Sequence, residues 1–315
     1  MKVLIVGAGA VGLVYGQGMA AAGHSVTFFI KEKYHATLAG GVTLVRQRRL
    51  LPDRAANFAD YELLSDWQMV AKQQFDQVLL AIPSTAVRQL PFAAMQAAIG
   101  DATLVMLQPA EPDYRLLCQH WPDARIVKGM INLISYYHPM PGQAALPAVR
   151  PICVAWYLPP AIMPMPLSGE QPRLAASLTL FRSGGFPAKS VTDAVATSRL
   201  PNALLMTFLC ALQASGWSFA RLRRDGQRLA LLSRAQKDLL AVLEPAAAWR
   251  VPTPWIYRLG LCLAPAALPF SLETYLEEHF TKVGAQTDMY LQDFRKFCDS
   301  EALRQLHEQA FGRQG

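Results

Sequence analysis

Three glycines stand close together near the amino terminus, in the order Gly7-Ala8-Gly9-Ala10-Val11-Gly12. Residues without a Cβ let a backbone turn sharply and come close to a bulky group. At this spacing they suit the holding of a pyrophosphate by main-chain N–H groups. Further along, Lys31-Glu32-Lys33, Pro83-Ser84-Thr85 and Gln108-Pro109 each follow an apolar run. They are the other polar positions that a ligand held at the glycines could meet.

The glycines do this only between particular elements. Lys2 to Val6 is a short β-branched and Leu run, read as a strand. Val11 to Ala22 has a helical pattern closed by Gly23, and Ser25 to Ile30 reads as a second strand. Strand, glycine turn, helix, strand is the order of a dinucleotide-binding unit, and an ordinary glycine-rich βα turn lacks it. Gly7 then makes the tight turn, Gly9 lets the pyrophosphate approach, and Gly12 lets the helix pack on the sheet. Gly7, Ala8, Gly9, Ala10, Val11 and Gly12 are therefore the expected cofactor-binding turn. An acid at the end of the second strand would accept from ribose hydroxyls and mark NAD. Lysine at Lys31 suits a 2′-phosphate. Two cations flank one acid, so NADP(H) is expected, with Glu32 on a ribose, selecting NAD, as the competing reading.

The chain has 315 residues, enough for two domains and a substantial core. Half-hydrophobic composition with 17% charged residues excludes a disordered chain. The net charge of +7 is dispersed, for example over Arg46, Arg48 and Arg49 and over Arg221, Arg223 and Arg224. No nucleic-acid motif accompanies it, so attraction of an anionic cofactor and an acid substrate is the expected role, not nucleic acid. Cys118, Cys153, Cys210, Cys262 and Cys298 are too far apart for a metal site or a disulfide framework, which fits a reducing cytoplasm. The histidines are scattered too, and no metal is expected. With the first strand beginning at once, no signal peptide is expected. Ala203 to Leu212 and Leu259 to Phe270 are apolar but shorter than the ~20 residues of a membrane span. They read as buried helices between domains or subunits, not as a membrane partner.

The first half alternates strand and helix patterns. After the second strand come a helix over Lys33 to Leu38, a strand over Val42 to Arg46 and a buried strand over Gln77 to Ile82. A helix over Ala86 to Ala98, a strand over Thr103 to Leu107 and another from Arg125 to Val127 follow. This alternation predicts a Rossmann-type parallel sheet with helices on both faces. Val149 to Leu158 reads as a strand closing that sheet at its edge, and Ser168 to Gly184 as a helix. From about Lys189 the pattern is helical, over Ala194–Trp217, Gln227–Ala248, Leu272–Phe297 and Asp299–Phe311. The division is thus an α/β domain over 1–187 and an all-helical domain over 188–315. Ligands of such sheets lie at the carboxyl ends of the strands. That collects Gly7 to Gly12, Lys31, Pro83-Ser84-Thr85 and Gln108-Pro109 around one crevice. Gln108 either reaches a nicotinamide or substrate carbonyl or faces water as a loop amide.

The layout, the glycine turn and the basic residue after the second strand resemble the ketopantoate reductase (2-dehydropantoate 2-reductase) family. Met289-Tyr290-Leu291-Gln292-Asp293-Phe294-Arg295 is similar to that family's hydrophobic pair, Gln-Asp and nearby Arg. Ser300-Glu301 is similar to its Thr-Glu or Ser-Glu. The resemblance implies reduction of a 2-oxo acid by NADPH, with hydride going to the ketone carbon and a lysine supplying the proton. It also implies that Glu301 helps to bind cofactor and substrate. The family's lysine falls on Arg199, in Thr197-Ser198-Arg199-Leu200-Pro201-Asn202-Ala203, and its following asparagine on Ala203 or, in a shifted register, Asn202. Arginine stabilises an oxyanion but is a poor proton donor. The family's Asn-Gly is Gln108-Pro109 here, and its Lys-Ala or Lys-x-x is Pro83-Ser84.

The resemblance therefore implies an NADP-dependent reductase of a 2-oxo acid or related ketone. Arg199 polarises the substrate oxygen or holds its carboxylate, while Glu301 orients Arg199, the substrate or the ribose. Ser198, Asn202 and Gln108 hydrogen-bond the substrate, and Pro83, Lys31 and Gln108 line the cofactor. Lys189 could swing in for the missing lysine. The other readings are a non-catalytic NADP-binding protein and an opine- or imine-reducing dehydrogenase. The apolar helices of the second domain suit a homodimer.

Overall fold

In the computed structural model, residues 1–145, 150–159 and 163–312 are described. The chain divides into two compact units, Met1–Thr197 and Ser198–Gly315. The first is built on an eight-stranded sheet. In chain order its leading elements are β1 (Lys2–Val6), α1 (Ala10–Ala21), β2 (Ser25–Phe29), α2 (His35–Ala39), β3 (Val42–Arg46), β4 (Arg54–Phe58) and β5 (Glu62–Leu64). Next come α3 (Trp67–Val70), β6 (Gln77–Leu80), α4 (Ser84–Val87), α5 (Phe92–Ile99), β7 (Thr103–Met106) and α6 (Glu111–Cys118). The unit closes with β8 (Ile126–Gly129), β9 (Ile134–Tyr137), β10 (Ile152–Tyr157), β11 (Met165–Ser168), α7 (Arg173–Ser183) and β12 (Ala188–Ser190).

The main sheet runs β12-β11-β8-β7-β6-β1-β2-β5. Its pairs are parallel except β8 with β11. β1 sits inside it, and successive residues point to opposite faces. Val3 and Ile5 enter the core shared with α1 and α7, while Leu4 and Val6 enter the core under α3 and α5. Covering both faces explains the unbroken apolar runs at β1, β6 and β7. The expected α/β class with a parallel sheet between helices is what the first unit has.

Several expected boundaries shift for local reasons. The helix read over Ala86–Ala98 is two helices, α4 and α5, because Pro91 has no N–H to continue a helix and instead caps α5. The strand read over Val149–Leu158 does not close the main sheet. As β10 it is an inner strand of a second sheet of order β4-β3-β10-β9, parallel to β3 and antiparallel to β9. Val149 itself lies outside the described residues. The edge of the main sheet is formed instead by β11 and β12. The helix read from Ser168 begins at Arg173, since β11 takes the residues up to Ser168. β12 carries Lys189 into that sheet, so the division between units falls at Thr197/Ser198, beyond the expected 187/188.

The second unit is helical. It contains most of α8 (Ala194–Ala214), then α9 (Phe219–Arg224), α10 (Gly226–Leu243), α11 (Pro254–Leu263), α12 (Leu272–Lys282), α13 (Gly284–Phe297) and α14 (Glu301–Phe311). The pattern read over Leu272–Phe297 is broken at Val283, α9 has no counterpart in the sequence reading, and the helix read over Leu259–Phe270 is α11, which starts earlier and ends at Leu263. α8 runs through Pro201, whose missing N–H leaves the Thr197 carbonyl without its helical donor. By length and apolarity α8 could cross a membrane, yet 56% of its apolar window is buried inside the fold. The apolar stretch from Leu259, expected to be buried, exposes Leu259 and Leu263 on α11.

Candidate active site

The glycine turn joins β1 to α1. Gly7 has φ of +102°, which L side chains rarely adopt, and its N–H donates to the Phe29 carbonyl at 2.9 Å. A Cβ there would meet the Ala81 carbonyl oxygen at 2.9 Å. At Gly12 a Cβ would be driven into the Gly7 carbonyl oxygen, so the helix can start this close to the turn only with glycine. Gly9 is different. It is exposed, and a Cβ on it would meet nothing within 4 Å. The space over it is open.

Gly9 caps α1 without a side-chain bond, and there is no acid in the first turn. The first internal helical bond is Leu13 N to Gly9 O at 2.9 Å. The N–H groups of Ala10, Val11 and Gly12 therefore have no helical acceptor and form the positive end of the helix dipole. An open, acid-free cradle of amides fits a pyrophosphate. Ala8 adds a carbonyl, approached by the Tyr137 hydroxyl at 3.5 Å. Tyr137 is half exposed on β9, and burial, then Tyr34, raises its pKa. The sequence reading missed it, because β9 is brought to the turn only by packing of the second sheet on α1. Lys31 and Glu32 are both exposed at the end of β2, beside Lys33 and Tyr34.

Pro83 is exposed at the start of α4, and Ser84 is fully buried. Gln108 does not face water, and both hydrogens of its amide are engaged within the fold. It is 5% exposed; its Nε2 donates to the Leu80 carbonyl at 3.0 Å and the Ile82 carbonyl at 2.7 Å. Its Oε1 accepts from Leu107 N at 3.1 Å. The side chain ties the ends of β6 and β7 together, because a buried amide must find partners and the sheet end offers unpaired carbonyls. Beyond these strands, Arg88 Nε donates to the fully buried Asp113 at 2.7 Å, joining α4 to α6.

In the second unit, Arg199 is partly exposed on α8 and pairs with Glu244 at 3.9 Å. Glu301 begins α14 behind the Ser300 cap and is exposed. Its carboxylate accepts from Arg304 at 2.8 Å and Gln305 at 2.9 Å. The carboxylate that meets Arg199 is thus Glu244, after α10, and not Glu301, whose own helix supplies its partners at i+3 and i+4. Ser198 and Asn202 are buried. Arg295 pairs with Asp299 at 3.1 Å, and Gln292 with Asp288 at 2.8 Å. Lys189 is exposed on β12 of the first unit. Among the described residues no group of three or more His, Cys, Asp or Glu could hold a metal.

Residues 3–149 match the family model described as ketopantoate reductase PanE/ApbA. No curated protein matches the sequence. Among solved structures, the fold is shared with 2-dehydropantoate 2-reductase from Geobacter metallireducens, at 15% identity and TM-score 0.67, over 98% of this chain and 99% of that one. A PanE/ApbA family ketopantoate reductase from Ralstonia eutropha is similar at 19% identity and TM-score 0.67, over 98% and 97%. A ternary structure of D-mandelate dehydrogenase with NADH and anilino(oxo)acetate is similar at 12% identity and TM-score 0.69, over 99% and 97%. Residues 3–149 are thus similar to the ketopantoate reductase PanE/ApbA model, and the chain shares the fold of the 2-dehydropantoate 2-reductase structures over nearly its whole length.

Proposed function

We propose that the chain is an NADPH-dependent reductase of a 2-oxo acid or a related ketone. The observation that carries this is the open cradle at Gly9, flanked by two positions where no Cβ fits. Two kinds of neighbour support it: 2-dehydropantoate 2-reductases, and a D-mandelate dehydrogenase crystallised with NADH and an oxoacetate. Bound at the cradle, the dinucleotide would supply the hydride. The N–H groups of Ala10, Val11 and Gly12 would hold its pyrophosphate, and Lys31 would face a 2′-phosphate. Arg199, released from Glu244 at 3.9 Å, would hold the substrate carboxylate or stabilise the growing alkoxide. It keeps its proton, so the proton must come from another donor or from water. Glu301, exposed at the start of α14, would accept from a substrate or ribose hydroxyl.

Titration with NADPH and NADH tests the cofactor, and tighter NADH binding would give Glu32 the ribose instead. In a screen of 2-oxo acids, Arg199→Ala should lower turnover at least ~100-fold with NADPH affinity nearly unchanged. Full turnover in that variant sinks the role of Arg199. A non-catalytic NADP-binding protein is the second reading. It is favoured by a Gln108 amide already bonded to the strand ends, and it would fit an Arg199 standing where the resemblance puts the family's lysine. NADPH binding with no oxidation across the screen would select it.

A further inference from the structure

Two adjacent tyrosines on β9 are used in different ways. Tyr136 is buried; its hydroxyl donates to Gln47 Oε1 at 2.7 Å and accepts from Gln143 Nε2 at 3.2 Å. Tyr137 points to the other side of the strand, as successive residues do, and is 50% exposed. Its hydroxyl meets the Ala8 carbonyl oxygen at 3.5 Å. That length is beyond the usual range for a bond between a hydroxyl and a neutral oxygen, so the proton is loosely held. The peptide bearing that carbonyl leads into Gly9, the residue with open space over it. Burial, and after it the nearby Tyr34, raise the pKa of the Tyr137 hydroxyl, which keeps it a donor at neutral pH. Tyr34 is itself 48% exposed beyond the end of β2.

The hydroxyl answers a shortage at the cradle. From Val3 to Gly23 the chain has no charged side chain, so the turn offers an anion main-chain N–H groups and a helix dipole but no cation. A pyrophosphate seated on those amides turns some of its oxygens towards α1 and leaves others facing away from it. The Tyr137 hydroxyl is a side-chain donor beside the turn that reaches it from another element. It is held there from outside, because β9 pairs with β10, Tyr137 opposite Val154, and packs on α1. A phosphate oxygen is a far better acceptor than a peptide carbonyl at the limit of reach. Hydrogen bonds from O–H to an anionic oxygen close to about 2.5–2.7 Å and are roughly twice as strong as neutral ones. The hydroxyl hydrogen rotates freely about the ring–oxygen bond, so it can turn from Ala8 to such an oxygen without any change in the strand.

We propose that Tyr137 is a pyrophosphate-binding residue, its hydroxyl donating to the dinucleotide from outside the glycine turn. The inference rests on the reading of that turn as the cofactor site. Tyr137→Phe removes the oxygen alone. In calorimetric titrations of the full chain, the variant should bind NADPH and NADH each about 10-fold more weakly than the parent, since both carry the pyrophosphate. Its thermal midpoint should stay within ~1 °C, because a contact at 3.5 Å holds little. Unchanged affinity for both nucleotides in Tyr137→Phe, with Gly9→Val still weakening them, overturns the inference and leaves the cradle in place. A loss confined to NADPH would put the hydroxyl on the 2′-phosphate and overturns it as well. So does a lowered midpoint together with weaker binding, which would make Tyr137 a brace of β9 against the turn. A parent chain that binds neither nucleotide removes the reading of the cradle itself, and this inference with it.

Discussion

The glycine turn and the polar positions of the second unit are built in opposite ways. At the turn, main-chain N–H groups are what the molecule offers a ligand, and the side chains matter by being absent. On α8 and α14 the candidate groups are long side chains, already committed to neighbours: Arg199 to Glu244, and Glu301 to Arg304 and Gln305. A site made from backbone is fixed by stereochemistry within a few residues. A site made from side chains is fixed by whatever the fold brings alongside, here a glutamate forty-five residues away from Arg199.

The sharpest way to break this contrast is at the turn itself. Gly12→Ala puts a methyl on the Gly7 carbonyl, and main chain cannot swing aside as a side chain can. We expect a loss of about 3 kcal/mol of stability, measured by denaturant unfolding, along with loss of NADPH binding. Gly9→Val should separate the two effects. Its Cβ meets nothing, and its φ of −72° suits any residue. Stability should hold to within about 0.5 kcal/mol, whereas NADPH affinity should fall ~100-fold. If both variants bind NADPH like the parent, the cradle is not the cofactor site.

Gln108→Leu sharpens the other half of the comparison. A residue expected to meet a ligand serves here as a brace, so its loss should appear in stability first. Leaving the Leu80 and Ile82 carbonyls unpaired should cost about 2 kcal/mol, read from the unfolding midpoint. An unchanged midpoint with a raised substrate KM would return Gln108 to the ligand.

His279 gives a smaller, pH-dependent effect within the second unit. Burial, then Lys282, pushes its pKa from the ordinary 6.5 down to about 4. It stacks on Tyr275 at 5.3 Å and meets Phe280 edge-on at 4.8 Å. The folded state therefore favours the neutral ring. Stability should be full above pH ~6.5 and fall as the pH drops towards 4, by about 2 kcal/mol at pH 5. His279→Phe should flatten that dependence, as thermal melts at pH 7 and pH 5 would check. An equal fall in the variant would assign the effect to other groups.

Much of the first unit was legible because its determinants are local. Apolar runs ended by glycine or proline marked β1, β6 and β7, and the order of elements around Gly7, Gly9 and Gly12 marked the cradle. The single helix read over Ala86–Ala98 failed at Pro91, where a rule about one residue outranks the periodicity around it. The second sheet was not legible as a sheet. β3 and β10 each read as strands, but nothing in either run says that Val42 pairs with Ile152.

By itself, then, the sequence determined what backbone conformation and burial pattern dictate: the alternating first half, the helical second half and the glycine turn between β1 and α1. Only the tertiary structure decided which polar groups are already bonded. Gln108 is held by the ends of β6 and β7, Arg199 by Glu244 and Tyr137, weakly, by Ala8, while α11 keeps Leu259 and Leu263 in water. The physical reason is range. A Cβ clash or a missing N–H acts on adjacent residues, whereas a hydrogen-bond partner is chosen by proximity in space, which no short stretch of chain encodes.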